Sequence, residues 1–405
     1  MPPLPSVRKR LREGLADPFG CAPLSVQVRD KQSAMVVVAD YTRNNAYDKW
    51  LPELLYQLND CGIPDSAIQL YIGSGTHRPM SEDEKRACYT DEVWKRVEIL
   101  DHDCDATDRM KKIGRTDYGT VIYVDQRIWD SEFLILTGGI MYHYFAGYSG
   151  GRKALMPGCC ARETIIHNHS LAINKKTGGF DPRVKPGALV GNPVNEDMLQ
   201  VASQIRPDMC VNVVLNSDKE ISWLGVGDQG YKLRRGAAFL DESNLVEVAE
   251  PADIAIVGAG GQPKDLTLFQ AHKSLRHSLA ALKPGAKVFW LARAEHGEGT
   301  DEFQTWRQLS LDECQARVQR EISLYAFCAL SLKTITDQFD VHLISDLPAE
   351  RVREWGMTPH QDIHRALSQE LPANASGLRW AVIPDCSNLL PTKPKPPAED
   401  GENKE

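Results

Sequence analysis

Short apolar runs rich in β-branched residues recur along the chain, and segments with helical spacing separate many of them. In the first half these runs predict strands at 33–40, 67–75, 97–103, 120–125 and 133–139. Between the first two, "AYDKWLPELLYQLNDCG" has apolar residues at helical spacing and predicts a helix. Further along, "NEDMLQVASQI" predicts a helix and "MCVNVVLN" a strand. Strands that alternate with helices are typical of an α/β fold with a mostly parallel sheet.

The same pattern begins again near residue 248, which favours two α/β domains in this 405-residue chain. We expect an N-terminal domain over 1–247, a C-terminal domain over 248–390 and an active site in the cleft between them. Whether the last strand, at 377–385, returns to the first domain is left open. The segment 391–405 begins with the proline-rich "PTKPKPP" and predicts a disordered tail.

Composition excludes several classes of protein. A formal net charge of -8 argues against broad nucleic-acid binding, which needs lysine and arginine to neutralise phosphates. No stretch approaches the roughly 18 apolar residues of a transmembrane helix, and the start of the chain lacks a signal-peptide core. The ten cysteines form no C-x-x-C pair, so we expect reduced thiols and a cytoplasmic protein.

Polar residues follow several of the predicted strands, where ligands usually bind in α/β folds. One such set lies in each of five loops, namely Asp40, Thr42 and Arg43; His77 and Arg78; His143 and Lys153; His167 and His169; Gln270 and Lys273.

Two familiar phosphate-binding motifs fail in this chain. "GYSGGRKA" lacks the spacing and the Ser/Thr of a P-loop, and "GAGGQP" has Pro263 where a dinucleotide fingerprint needs its third glycine. The backbone N–H groups of Ser149, Gly150 and Gly151 could still hold a phosphate, with Arg152 adding charge. The turn therefore predicts an anion site of unspecified type.

The positions of the histidines do not by themselves identify a metal site or a catalytic site. His167 and His169 would share one face of an extended segment, which is a weak metal-ligand pattern. We expect the remaining histidines outside the strand-end loops to be structural or surface residues: His102, His272, His277, His296, His342, His360 and His364.

Five motifs occur in a fixed order along the chain: D-x-T-R, G-T-H-R-P, H-Y-F-A-G-Y-S-G-G-R-K, H-N-H and Q-x-x-K. This ordered set is more specific for one protein family than any single motif is. The chain that carries them closely resembles the nickel-dependent lactate racemases and their relatives, from about residue 36 to about residue 275. A looser similarity continues to "REWGMTPHQDIHRAL".

The resemblance implies a tethered cofactor in the N-terminal domain, the nickel-pincer nucleotide, a Ni(II) pyridinium-3,5-bisthiocarboxylate mononucleotide. By position, Lys153 would be its covalent anchor, His169 the remaining nickel ligand, and His77 and His143 the catalytic acid/base pair. It further implies cofactor contacts from Asp40, Thr42, Arg43, Ser149, Gly150, Gly151 and Arg152, and substrate contacts from Arg43, Gln270 and Lys273. Cofactor-maturation enzymes would be partners.

The implied reaction is inversion of the C2 centre of a 2-hydroxy acid by reversible hydride transfer. Two histidines suit it, because each enantiomer presents its hydroxyl proton to a different base. Asn44 and Asn45 follow D-x-T-R where lactate enzymes usually have proline, and Phe269 stands where they place tyrosine. The substrate therefore stays open among lactate, malate, other 2-hydroxy acids and sugar acids. A non-catalytic binding homologue and an NAD-dependent oxidoreductase are the other hypotheses.

Overall fold

The computed structural model describes residues 1–321, 323–386 and 388–394. The chain divides into two compact units. The first comprises Met1–Ser243 with Gln319–Leu324, and the second comprises Asn244–Val318 and the chain from Tyr325 onward. Both contain helices and parallel strands, which confirms the predicted α/β class.

The first part of the chain alternates strands and helices as predicted. Helices described there are α1 (Val7–Ala16), α2 (Leu24–Gln27), α3 (Tyr47–Asp60), α4 (Glu82–Arg96), α5 (Gln126–Trp129), α6 (Arg162–Ser170), α7 (Pro193–Ile205) and α8 (Gln229–Asn244), with short 3-10 helices at Asp65–Ala67, Thr107–Arg109 and Gly151–Ala154. The strands are β1 (Ala34–Val38), β2 (Ile68–Ile72), β3 (Glu98–Asp101), β4 (Met110–Arg115), β5 (Val121–Asp125), β6 (Leu134–Gly139), β7 (Tyr142–His143), β8 (Gly147–Tyr148), β9 (Met209–Leu215) and β10 (Ile221–Gly227).

The main sheet of the first unit has the order β10-β9-β6-β1-β2-β3. Its strands are parallel except β10, which runs antiparallel to β9. β1 lies between β2 and β6, so the carboxyl ends of these three strands share one edge of the sheet. The loops that begin there carry Asp40, His77 and His143, and the topology therefore gathers three predicted site residues at that edge.

The predicted apolar runs form strands because helices pack against them and bury their side chains. Every residue of β1 is buried, as expected for a parallel strand packed on both faces. Its partners in the core include Trp50, Leu51 and Leu54 of α3, whose apolar spacing predicted that helix. The helix begins at Tyr47 and ends at Asp60, close to the predicted bounds.

One predicted strand lies outside the main sheet. β5 pairs antiparallel with β4 in a separate hairpin. A tight turn joins them, in which Gly119 has a φ of 86° and its N–H donates to the carbonyl of Thr116. β4 was not predicted, because its sequence "MKKIGR" is polar and partly exposed.

The strands in the later part of the chain are β11 (Leu245–Glu247), β12 (Ala252–Gly258), β13 (Leu282–Leu291), β14 (Asp340–Ile344), β15 (Thr358–His360), β16 (Trp380–Ile383) and β17 (Leu390–Thr392). Five of them form a second sheet with the order β15-β14-β13-β12-β16, in which all neighbours are parallel. β11 and β17 form a separate pair. The helices are α9 (Leu268–His277), α10 (Asp301–Gln304), α11 (Leu311–Arg320), α12 (Leu324–Gln338), α13 (Ala349–Glu354) and α14 (Ile363–Glu370), with 3-10 helices at Ser278–Ala281 and Ala375–Gly377.

The end of the chain differs from the sequence-based expectation. β16 pairs with β12, so the last predicted strand belongs to the second sheet and does not return to the first unit. The segment predicted as a disordered tail begins instead inside β17, which pairs in parallel with β11. Residues 395–405 lie outside the described residues. In the described part of the chain, no helix has both the length and the apolar character that crossing a membrane requires.

Candidate active site

The loop after β1 forms a connected hydrogen-bond network around His77. Asp40 is 3% exposed, and its Oδ2 lies 2.5 Å from Nδ1 of His77. The other oxygen, Oδ1, accepts hydrogen bonds from the backbone N–H and the hydroxyl of Thr42 at 3.0 and 2.5 Å. Arg43 in turn donates through Nη1 to the carbonyl oxygen and the hydroxyl of Thr42. The D-x-T-R motif and the G-T-H-R-P motif therefore meet in one network.

The charge state of Asp40 sets the proton on His77. Burial by itself would raise the pKa of Asp40, but the hydrogen bond and charge of His77 outweigh it and hold that pKa below its usual value. The carboxylate is ionised at neutral pH and accepts the proton of Nδ1. The Nε2 atom of a neutral His77 then carries a lone pair. The ring is half-exposed, with 38% of the side chain accessible, so this nitrogen is able to meet a ligand.

The loop after β6 is a small hairpin made by β7 and β8. Gly147 closes it with a φ of 76°, and a Cβ there would lie 2.1 Å from the carbonyl oxygen of Ala188, so only glycine fits. Within the hairpin, Nδ1 of His143 accepts the backbone N–H of Ala146 at 3.2 Å. A neutral His143 in this arrangement carries its proton on Nε2, the opposite of His77.

The Ser-Gly-Gly turn is tied to the sheet by its own polar groups. Ser149 donates its hydroxyl to the carbonyl of Gly139 at 2.6 Å and its N–H to the carbonyl of Met141. The N–H of Gly151 donates to Oδ1 of Asn212 at 3.1 Å. Two of the three N–H groups predicted to hold a phosphate are therefore already engaged inside the protein.

Arg152 contacts the backbone of its own turn. It is completely buried, and its guanidinium donates to the carbonyl oxygens of Gly150, Ala146 and Tyr148 at 2.8–3.2 Å. Burial also lowers the pKa of Arg152 to about 9. These contacts show that the side chain fixes the backbone that precedes Lys153, and a contact of Arg152 with a cofactor phosphate stays a prediction.

Three of the predicted residues converge on the ring of Phe145. The ring centroid of His143 lies 4.4 Å from that of Phe145, and the ring centroid of His169 lies 4.7 Å from it. The ammonium nitrogen of Lys153 lies 5.4 Å from the same centroid. The three residues come from a hairpin, a 3-10 helix and α6, so the fold, not local sequence, brings them together.

His167 and His169 do not form a shared ligand pair. They lie in the α-helix α6, where residues two apart point in different directions, whereas the shared face was predicted for an extended segment. His167 instead bonds through Nδ1 to the hydroxyl of Thr120 at 2.8 Å. His169 is buried, and burial together with the positive charge of Lys153 lowers its pKa to about 3. It is therefore a neutral imidazole at physiological pH.

The loop that carries His77 packs on the segment that carries Lys153. The N–H of Gly75 donates to the carbonyl of Gly158 at 3.1 Å. A Cβ on Gly73 would lie 2.9 Å from the carbonyl oxygen of Ala154, so glycine permits this close approach. The position of Lys153 is thereby linked to the loop of His77.

Gln270 and Lys273 lie in α9 of the second unit and contact each other. The ammonium group of Lys273 donates to Oε1 of Gln270 at 2.7 Å and lies 5.5 Å from the ring centroid of Phe269. Phe269 packs edge-on against Phe303, with centroids 5.5 Å apart. The pair predicted to bind substrate is thus preassembled within one helix.

The two asparagines that depart from the lactate pattern are engaged locally. The side-chain amide of Asn45 is buried and donates to the hydroxyl of Tyr47 at 3.2 Å. Asn44 accepts the backbone N–H of Ala46, which has a left-handed φ of 48°. These contacts engage Nδ2 of Asn45 and Oδ1 of Asn44 within the loop itself.

Sequence reasoning missed two residues that organise this region. Phe145 lies inside the long motif, but only the fold makes its ring the shared neighbour of three predicted residues. Asn212 is a fully buried polar residue in the middle of β9, and its side chain holds the N–H of Gly151. A polar residue inside the apolar run "MCVNVVLN" was the available signal.

Sequence comparisons place the chain among known racemases. The model described as "Lactate racemase N-terminal domain" matches residues 1–179, and the one described as "Lactate racemase C-terminal domain" matches residues 247–390. The chain is 29% identical to a lactate racemase of Lactiplantibacillus plantarum, over 94% of this chain and 90% of that protein. It is 27% identical to a lactate racemase of Thermoanaerobacterium thermosaccharolyticum, over 94% and 89%.

Structural comparison agrees with the sequence matches. The lactate racemase apoprotein from Thermoanaerobacterium thermosaccharolyticum superimposes with a TM-score of 0.89 at 26% identity, covering 96% of this chain and 94% of that one. A crystal structure of a protein from Thermotoga maritima shares the fold with a TM-score of 0.72 at 15% identity, over 96% and 98%. Both domain models and relatives that align along nearly the whole chain lead to the same assignment, and the chain belongs to the lactate racemase family.

Proposed function

We propose that this isomerase inverts the C2 stereocentre of a 2-hydroxy acid, with His77 and His143 as its acid/base pair. Family membership supports racemase activity in general. The observation that carries the more detailed proposal is the convergence of His143, Lys153 and His169 on Phe145. These are the acid/base, anchor and ligand positions that the family motifs assign, and they come from separate elements.

His77 would accept the hydroxyl proton of one enantiomer. The ionised Asp40 holds the proton of the ring on Nδ1, so Nε2 is available as the base. Asp40 also stabilises the imidazolium that forms, as a carboxylate does when it orients a catalytic histidine. The hydrogen bonds from Thr42 fix the carboxylate in this orientation.

His143 would serve the other enantiomer. With its Nδ1 accepting from Ala146, the ring presents an N–H through Nε2 and donates a hydrogen bond to the substrate oxygen. To act as a base it must first give up the Ala146 contact. The two directions of the reaction therefore begin from different protonation arrangements of this pair.

The substrate carboxylate needs cationic partners. Arg43 is half-buried and already held by Thr42, so its guanidinium offers a positioned donor. Gln270 and Lys273 of the second unit supply an amide and an ammonium group that are preassembled by their own hydrogen bond. We propose these three as the residues that bind and orient the acid.

The residues present fit the cofactor that the family motifs imply. Lys153 would hold the nickel-pincer nucleotide covalently, and His169, a buried neutral imidazole beside it, would ligate the nickel. When bound, this group supplies a hydride acceptor for the C2 hydrogen. Phe145 is buried and packs edge-on against His169, with ring centroids 4.7 Å apart.

The anchor is tested by producing the protein with and without the cofactor-maturation enzymes, which we propose as its partners. Co-produced protein should contain nickel and a mass increment on the Lys153 peptide, and Lys153→Ala should carry neither. His169→Ala should lose nickel and keep the covalent increment. Absence of both signals from co-produced wild-type protein would refute the proposal.

The substrate is tested by chiral analysis of a panel that includes lactate, malate and sugar acids. Loaded protein should interconvert the C2 epimers of at least one of them. Epimerisation of a sugar acid alone would select the second candidate function. Unchanged stereochemistry throughout the panel, with ligand binding retained in His77→Ala, would favour a non-catalytic homologue.

A cytoplasmic location is part of the proposal. The cysteines of this chain form no disulfides with one another in the described structure, which is typical of a reducing compartment. Cys159 and Cys160 follow Lys153 but are fully buried, and burial raises the pKa of both thiols. They pack as small apolar residues and take no part in the proposed reaction.

A further inference from the structure

The second unit holds two histidines and a glutamate whose ligand atoms face one another. His342 lies in β14, His360 is the last residue of β15, and Glu370 is the last residue of α14. The three potential ligand atoms all lie within 4.8 Å of one another. His342 is 2% exposed, while His360 and Glu370 are partly accessible, so the group is reachable from solvent on one side.

The sheet register explains how the histidines meet. β14 and β15 are parallel neighbours in which Ile344 lies opposite His360. Residues two apart in a strand share a face, so His342 and His360 project from the same side of the sheet. Nδ1 of His342 lies 3.0 Å from Nε2 of His360. Two imidazole nitrogens on one tetrahedral zinc would be about 3.4 Å apart, which requires only a small adjustment.

The outer ring nitrogen of His342 has the partner that a ligand histidine usually has. Its Nε2 lies 3.2 Å from a carboxylate oxygen of Asp340. A carboxylate in this position accepts the second ring N–H and leaves the inner nitrogen with its lone pair. Lys287 also reaches Nε2, at 2.8 Å, and pairs with Asp340. The ammonium group of Lys287 therefore competes with the N–H to Asp340 hydrogen bond at Nε2, and so opposes the tautomer of His342 that would bind a metal through Nδ1.

The charges around the group favour a cation. Glu370 stands in the last turn of α14, where the helix dipole is negative and no basic side chain is present in that turn. A glutamate there opposes the dipole unless a positive charge compensates it. Glu370 and Asp340 contribute two negative charges against the single positive charge of Lys287.

We propose that His342, His360 and Glu370 form a binding site for a divalent transition metal of the zinc class. Two imidazoles and one carboxylate are a zinc donor set, whereas magnesium and calcium prefer oxygen ligands alone. Three protein ligands leave one coordination position for water. The site belongs wholly to the second unit and is separate in sequence from His169, the proposed nickel ligand.

The bound metal would join three elements of the second unit. β15 is the edge strand of its sheet, and α14 packs on β13, β14 and β15. A metal held by His360, His342 and Glu370 links that edge strand to its neighbour and to the covering helix. Zinc should therefore raise the thermal midpoint of the protein, because a ligand that binds only the folded state stabilises it.

Metal titration of the full-length chain tests the site. Protein made without nickel and stripped with a chelator is titrated with Zn²⁺ against a chromophoric competitor, and with Co²⁺ by visible absorption. Wild-type protein should bind one ion, and His360→Ala and Glu370→Gln should each weaken binding by more than the roughly 10–100-fold that loss of an outer-shell partner costs. His342 is left unchanged, since its ring stacks on buried Phe289 and its replacement risks misfolding.

Two further variants give opposite expectations. Lys287→Met removes the competing ammonium and should tighten Zn²⁺ binding, while Asp340→Asn should weaken it. His364→Ala, an exposed histidine on the same helix, and His169→Ala in the first unit should leave the site unchanged. The proposal is overturned if wild-type protein binds no Zn²⁺, or if His360→Ala and Glu370→Gln bind it as wild type does.

Discussion

At the scale of single residues, the hydrogen bond between Asp40 and His77 decides which ring nitrogen of His77 is available as the proposed base. The carboxylate is buried and ionised, so it holds the proton on Nδ1. Nδ1 of His143 instead accepts the backbone N–H of Ala146. Two histidines with the same proposed task are therefore set in opposite tautomers by their neighbours.

Asp40→Asn should keep the geometry and change the tautomer. The amide N–H₂ would donate to Nδ1 of His77 and leave the proton on Nε2. Turnover from either enantiomer should fall by about 10²–10⁴-fold, because His77 would accept a proton in one direction and return it in the other. Initial rates from each enantiomer measure the effect. Equal rates for wild type and variant in both directions would contradict the role of Asp40.

Arg152→Ala should destabilise the first unit without a direct effect on ligand binding. The variant leaves three backbone carbonyls without their donor, and we expect the free energy of unfolding to fall by about 2–5 kcal/mol. Chemical denaturation measures the free energy of unfolding. Arg183→Ala is the control, because Arg183 is an exposed arginine that pairs with Asp181. If the Arg152→Ala variant kept its stability but lost cofactor loading, this result would instead support a contact between Arg152 and the cofactor phosphate.

At the scale of elements, the 3-10 helix that carries Lys153 is fixed by close backbone contacts with the loop of His77. Gly75 and Gly158 bond through their backbones, and glycines at 73 and 158 allow the chains to approach. This packing links the position of the proposed anchor to that of one proposed base.

Gly158→Ala should disturb that link. A Cβ at this position would lie 2.0 Å from the carbonyl oxygen of Ala154, so the backbone around Lys153 must shift, at a cost of about 1–3 kcal/mol. Thermal unfolding and the mass increment on the Lys153 peptide should both decrease. Gly377→Ala is the matched control, because its Cβ would meet no atom within 4 Å.

The start of α4 should give a pH-dependent contribution to stability. Arg78 donates two hydrogen bonds to Glu84, which also caps the helix through the N–H of Ser81, and together they lower the pKa of Glu84 to about 2. A lowered carboxylate pKa stabilises the fold above pH ~4.5, and that contribution is lost as pH falls towards 2. The difference in unfolding free energy between wild type and Glu84→Gln should shrink over this window. A constant difference would contradict it.

Sequence reasoning succeeded where local pattern decides structure. β1 and β9 were predicted because buried parallel strands are continuous apolar runs. β4 was missed because its residues are polar. The interpretation of His167 and His169 as one pair failed because it assumed an extended segment, and they lie in a helix. The sequence does not show that His342 and His360 are neighbours, because only the register of β14 and β15 brings them together.

The candidate site was predictable in its residue types and not in its contacts. The motif resemblance identified His143, Lys153 and His169 as candidate site residues. Nothing in their spacing indicated that all three side chains would lie near the ring of Phe145. Arg152 resembles a phosphate ligand in sequence, yet the fold turns it onto its own backbone. Burial and long-range contacts decide these points, and they follow from tertiary structure.

At the scale of the whole molecule, each unit has its own parallel sheet, and the proposed chemistry draws on loops at strand ends. The first unit contains the proposed anchor, the proposed nickel ligand and both proposed acid/base histidines. The second supplies Gln270 and Lys273 and, separately, the proposed metal site at His360. Loss of zinc from that site should therefore leave cofactor loading at Lys153 unchanged.

The central claim is that the C2 hydrogen leaves as hydride and returns to the same carbon. It is tested most directly by giving the loaded enzyme one enantiomer of its 2-hydroxy acid, labelled with deuterium at C2, in ordinary water. The account predicts that the opposite enantiomer forms with its deuterium retained. Replacement of the deuterium by solvent hydrogen during inversion would mean that C2 is deprotonated, and would contradict the account.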